Sequence, residues 1–333
     1  MLGLGTAAIG RPQYINIKSS VEGDDFNIVN FSNKGKSILT EAYNNGVRYF
    51  DTAPGYGIAE KIILEWISEF QPKGINISTK WGYTYVANFD PSASVHEVKE
   101  HSLNKLNEQW KTSKQLLPYL NIYQIHSATL DSGVLNNKDV LHRLHELKKE
   151  FNINIGLSVS GEYQNEIIKK ALLIEVNHQP LFDSFQVTYN VFNQHLLELI
   201  KYLNGFDKKL IIKEALANGR VFPNHKYPHY NNIYNALVAL ATKYEVGVDA
   251  IALRFCEDTL KPYAVLSGAT LSSQLISNLA VTKFELLENE IEQLKDNKTV
   301  FIVAHRITTL KNCDRIIRIN KNHTIDILDY NQI

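Results

Sequence analysis

Short apolar runs alternate with amphipathic stretches along most of the chain. The runs fall at 2–6, 48–53, 75–80, 119–126, 153–159, 184–190, 209–216 and 262–268. Each has the length of a strand buried on both faces. Between them lie segments whose apolar positions recur at helical spacing: 34–46, 58–70, 94–110, 138–151, 162–176, 194–204, 231–256 and 272–280. Ser94 and Glu97 have the spacing of a capping box, which predicts a helix start there. Strand and helix alternating eight times predict an α/β chain folded as a (β/α)8 TIM barrel. A doubly wound sheet is the rival. It would carry a G-x-G-x-x-G turn leading straight into a helix, whereas Gly3-Leu4-Gly5-Thr6-Ala7-Ala8 ends in alanine and runs into the loop-like stretch 9–33.

Two segments are long for barrel loops, 9–33 and 217–232, and both would lie at the catalytic face. Composition changes this picture little. The chain has 333 residues, 44% hydrophobic and 21% charged, with a net charge of zero. That balance suits a globular protein and gives no electrostatic case for nucleic acid or an anionic membrane as partner. Two cysteines, Cys256 and Cys313, lack metal-ligand spacing, so no metal is expected and a reducing cytoplasmic setting is. No apolar stretch is long enough for a transmembrane helix.

The candidate chemistry sits at strand ends. RYFDTAPGYG (48–57) delivers Asp51 and Tyr56, INISTKWG (75–82) delivers Lys80, and IYQIHSATLD (122–131) delivers His126. In parallel α/β folds these ends converge on one face. A phenol is a poor acid or base at neutral pH, and a nearby ammonium would lower its pKa. Lys80 is expected to do so for Tyr56, with Asp51 as the counter-ion of the buried lysine. His126 would orient a carbonyl. The set suits carbonyl and alcohol interconversion but lacks a redox agent, so a hydride-carrying cofactor is implied. Trp81, beside Lys80, is expected in the wall of the substrate pocket.

These segments resemble the aldo-keto reductase family from residue 1 to about 285. Asp51, Tyr56, Lys80 and His126 match the family's tetrad in order and strand placement. The resemblance implies a TIM barrel and an NAD(P)-dependent oxidoreductase with Tyr56 as proton donor or acceptor. It also implies cofactor-binding residues. Ser158 in GLSVSG, with Gln186 and Asn190 in FQVTYN, match the strands that hold the carboxamide. Gly268, Ala269, Gln274 and Asn278 in VLSGATLSSQLISNLA match the segment that holds the pyrophosphate and adenosine. In LIIKEALANGR, Lys213 or its neighbour stands where relatives stack an aromatic ring on the nicotinamide. The basic residues that usually meet a ribose 2′-phosphate are not evident, so NAD competes with NADP. The alternative to an enzyme is a cofactor-sensing regulatory subunit on the same barrel.

The barrel is expected over 1–285, and 286–333 as a C-terminal extension. Residues 298–333 resemble the last part of an ABC transporter ATPase domain, with His305 in FIVAHRITTLKNCDRII matching a histidine that contacts the γ-phosphate. No G-x-x-x-x-G-K-[ST] loop occurs, so the extension is expected to serve structure or self-association rather than ATP hydrolysis.

Overall fold

A computed structural model describes residues 1–12, 27–90, 92–203, 205–295, 316–320 and 324–328. His305, Cys313 and residues 13–26 of the first long loop lie outside the described residues. Eight parallel strands close into a barrel. They are β1 (Leu2–Gly5), β2 (Tyr49–Asp51), β3 (Asn76–Trp81), β4 (Leu120–Ile125), β5 (Asn154–Ser158), β6 (Ser184–Thr188), β7 (Lys209–Lys213) and β8 (Ala264–Ser267). Every strand pairs with its neighbour in sequence, and β1 closes the ring against β8, with Leu2 opposite Val265. The expected (β/α)8 barrel is therefore the fold, and the doubly wound alternative is excluded.

Alternation along the strands sorts their side chains. Phe50, Ile77, Ile125 and Phe185 join the large apolar cluster shared with the helices. Their neighbours Asp51, Ser78, Lys80, Gln124 and Gln186 meet one another in a buried polar layer. Tyr49, Ile122, Ile211, Ala264 and Leu266 form a separate small cluster of their own. Filling by side chains makes such a barrel a packed core with its open end at the strand C-termini.

The outer helices are α1 (Ile28–Asn44), α2 (Ala59–Phe70), α3 (Leu103–Ser113), α4 (Lys138–Phe151), α5 (Gln164–Leu172), α6 (Leu197–Leu203), α7 (Asn231–Tyr244), α8 (Val248–Leu260), α9 (Ser272–Leu279) and α10 (Glu288–Lys295). Three boundaries differ from the sequence reading. α1 starts earlier, because the Asn27 side chain accepts from the N–H groups of Val29 and Asn30. Ser94 and Glu97 do not cap a helix. Glu97–Lys99 is a strand paired with Tyr83–Tyr85, and α3 begins after Ser102, whose hydroxyl accepts from Lys105 N. The expected helix 231–256 is two helices, broken where Glu245 turns left-handed at φ 54°.

The chain divides into two compact units, Met1–Lys295 and Asp296–Ile333. In the second, Ile316–Ile319 and Ile325–Leu328 form an antiparallel hairpin. Among the described residues, no helix is long and apolar enough to cross a membrane.

Candidate active site

The centre of the site is one buried carboxylate. Asp51 ends β2, and its Oδ2 takes the Lys80 ammonium at 2.5 Å. Its Oδ1 accepts from Ser78 Oγ at 2.6 Å and Gln186 Nε2 at 2.7 Å. Lys80, fully buried, donates also to the Thr52 carbonyl at 3.1 Å. A buried ammonium and carboxylate are tolerable only when both are paired and hydrogen-bonded, and these are. Burial lowers the Lys80 pKa, opposed by Asp51.

Tyr56 and His126 lie above this pair. The Lys80 ammonium sits over the Tyr56 ring, 4.8 Å from its centroid. The Tyr56 and His126 rings meet edge to face at 5.4 Å, and Tyr83 packs on His126 at 4.7 Å. Loss of water holds the Tyr56 phenol well above its usual pKa, and the carboxylates of Asp51, Glu97 and Glu214 push the same way. The expected lowering by Lys80 is thus outweighed, and the phenol keeps its proton at neutral pH. His126 moves oppositely: burial first, then the Lys80 ammonium, holds it well below 6.5, so its ring is neutral.

The turn carrying Tyr56 is fixed from outside. A four-residue helical turn, Ala7–Gly10, passes so close that a Cβ on Gly10 would lie 2.1 Å from the Tyr56 carbonyl oxygen. Ile58 N donates to the Gly10 carbonyl, and Arg11 donates to the Gly55 carbonyl and to Glu97. Gly57 takes φ 64° to make the turn.

A cavity of about 540 Å³ opens beside these groups, within the range of small-molecule clefts. Asp51, Tyr56 and His126 line it, while Lys80 lies beneath. Ser158, Gln186, Lys213, Gly268, Ala269, Gln274 and Asn278 line it as well. Asn190 and Trp81 are not among its lining residues. Asn190 is buried and ties the end of β6 to β7 by donating to the Glu214 carbonyl. Trp81 is fully buried against His101, with ring centroids 5.5 Å apart. Lys213 donates to Thr188 Oγ1 and Glu214 Oε1, both at 2.7 Å, and burial lowers its pKa against the pull of Glu214. Of the second long loop, Asn218, Gly219 and Phe222 reach the cavity.

Ser127, Glu214 and Asp249 also line the cavity and were not singled out by sequence. Ser127 follows His126 directly, which was the available signal; nothing local marks Asp249. One wall of the cavity leaves room for a phosphate group. A Cβ on Gly268 would meet nothing within 4 Å, and α9 starts without a side-chain cap, leaving its first N–H groups to an anion.

The aldo/keto reductase family model matches residues 2–298. The chain belongs to that family. It is an NAD(P)-dependent oxidoreductase built on the family's barrel. The chain is 24% identical over 302 residues to the uncharacterized oxidoreductase YqkF of Bacillus subtilis, covering 82% of this chain and 91% of that protein. Its fold is similar to that of the glycerol dehydrogenase AKR11B4 of Gluconobacter oxydans, with a TM-score of 0.68 at 20% identity over 91% of this chain and 95% of the other. A separate partial match is to the β-(1→2)glucan export ATP-binding/permease protein NdvA of Brucella melitensis, 32% identical over 84 residues. That match takes in 25% of this chain and 13% of NdvA.

Proposed function

We propose that this oxidoreductase interconverts an aldehyde, ketone or sugar carbonyl with the corresponding alcohol, and that Tyr56 transfers the proton. The observation that carries the reading is the contact of Asp51, Tyr56 and His126 in the wall of one cavity with the Lys80 ammonium buried behind them. Ser158, Gln186 and Lys213 would hold the nicotinamide end of the cofactor. Gly268, Ala269, Gln274 and Asn278 would hold the rest. When bound, the cofactor supplies the hydride or takes it up.

The remaining chemistry belongs to the chain. In reduction, oxygen develops negative charge as the carbonyl carbon receives hydride. The phenol of Tyr56, kept protonated by its surroundings, gives its proton to that oxygen. The Lys80 ammonium, fixed by Asp51, stabilises the phenolate left behind. Neutral His126 orients the carbonyl without competing as an acid. In oxidation the same groups run in reverse.

The test is turnover with NADH and NADPH against a panel of aldehydes, ketones and sugars, for the natural chain and Tyr56→Phe. The variant is expected to lose roughly 10²–10⁴-fold in kcat while still binding nucleotide, the range for a positioned general acid. Unchanged turnover in the variant would remove Tyr56 from the chemistry.

A further inference from the structure

Among the described lining residues, Asp249 is the one acidic side chain that the Tyr56 centre does not absorb. It stands in the first turn of α8, 4% exposed, and lines the cavity beside Gly268, Ala269, Thr270, Gln274 and Asn278. Its orientation is fixed. Oδ1 accepts from Ser277 Oγ at 2.9 Å, and Oδ2 accepts from Asn278 Nδ2 at 2.6 Å. Asn278 is held in turn by Ser267, whose hydroxyl donates to its Oδ1 at 2.5 Å. The chain even leaves room for the arrangement: a Cβ on Gly247 would come within 2.1 Å of Asp249 Oδ1 and 2.8 Å of Ser277 Oγ. A carboxylate so held cannot swing out of the way of a ligand.

Among the described lining residues, no basic group balances it. Lys213 is the only lysine or arginine among the described lining residues, and it is paired with Glu214 on the Tyr56 side of the cavity. Arg254, further along α8, is spent on Asp258 and the Val281 carbonyl. Among the described residues, the wall around Asp249 therefore offers a firmly held carboxylate beside the uncapped start of α9.

We infer that Asp249 makes this site select NAD(H) over NADP(H): its carboxylate accepts a hydrogen bond from a ribose hydroxyl and repels a 2′-phosphate. The inference rests on the proposed placement of the adenosine end at Gly268–Asn278. A ribose diol donates to a carboxylate, whereas a phosphate dianion brings like charge into a poorly solvated wall. Selectivity then comes from rejection of the wrong ligand as much as from contacts to the right one.

The experiment is fluorescence titration of the full chain with NADH and NADPH at low and high salt, for the natural protein and Asp249→Asn. NADH is expected to bind at least about tenfold more tightly at low salt, a difference that narrows as salt screens the repulsion. In Asp249→Asn, whose amide oxygen can accept from Asn278 while its NH2 donates to the Ser277 hydroxyl oxygen, the ratio should fall toward one through tighter NADPH binding. NADPH bound as tightly as NADH by the natural protein overturns the inference. So does a preference that Asp249→Asn leaves untouched. If the variant does not fold, the salt dependence of the natural preference decides: a ratio indifferent to salt speaks against a charge as its source. Binding of neither nucleotide would instead remove the dinucleotide reading of the cavity, and this inference with it.

Discussion

Lys80 has three interactions and no exposure: the Asp51 carboxylate, the Thr52 carbonyl and the face of Tyr56. Replacing it by methionine keeps the volume and leaves Asp51 charged, buried and short of its counter-ion. Breaking one side of a buried pair costs about 3–5 kcal/mol, so Lys80→Met should be less stable by that order in urea denaturation. The double variant Lys80→Met, Asp51→Leu should recover part of the loss, because no uncompensated charge remains. If the double variant is weaker than the sum of the two single ones, the pair is not the source of the cost. Strand-end position made these side chains readable in the sequence: a charged residue closing an apolar run has few structural uses. The direction of the Tyr56 shift was not readable in the same way. It depends on how much water the phenol loses and on Glu97 and Glu214, which approach from distant segments.

At the scale of elements, the eight strands were legible because burial on both faces leaves continuous apolar runs. The hairpin Tyr83–Tyr85 with Glu97–Lys99 was not. Its residues face solvent in part, and Ser94 to Glu97 carries a genuine helix-start pattern that cross-strand pairing overrides. The support of the Tyr56 turn was equally invisible, since it joins residues 10 and 57 across two elements. That contact yields a prediction. In Gly10→Ala, the new methyl would meet the Tyr56 carbonyl, Ala59 Cβ and Ala59 N at 2.1 to 2.5 Å. None of these is the end of a flexible side chain, so the turn must shift. A displacement of about 1 Å can cost on the order of 10²-fold in rate. The expected result is a drop in kcat of that order, with circular dichroism showing the barrel intact. Undiminished kcat would mean that the turn does not set the position of Tyr56.

The whole molecule balances two opposed responses to pH. Glu60, on α2, is buried behind β3, where Thr79 and Ser113 hydroxyls donate to it. Burial raises its pKa from 4.5 to about 7. Between those values the folded chain holds a proton that the unfolded chain has released, so this group makes stability fall as pH rises. The histidines act in the other direction. Burial lowers His101 to about 4 and His126 well below 6.5. From pH 6.5 downward the unfolded chain takes up protons that the folded one refuses, so these groups make stability rise with pH. The two slopes overlap and partly cancel in the natural protein. Glu60→Gln removes one of them while keeping an acceptor for both hydroxyls. The variant should match the natural chain near pH 4.5, where Glu60 is protonated in the fold. It should exceed it increasingly above that, by about 3 kcal/mol past pH 7, since each pKa unit is worth about 1.4 kcal/mol. Every other titrating group is common to both chains and drops out of the difference. Urea midpoints at pH 4.5, 6 and 8 measure it directly, and a gap that stays constant with pH would show that folding leaves the Glu60 pKa unshifted.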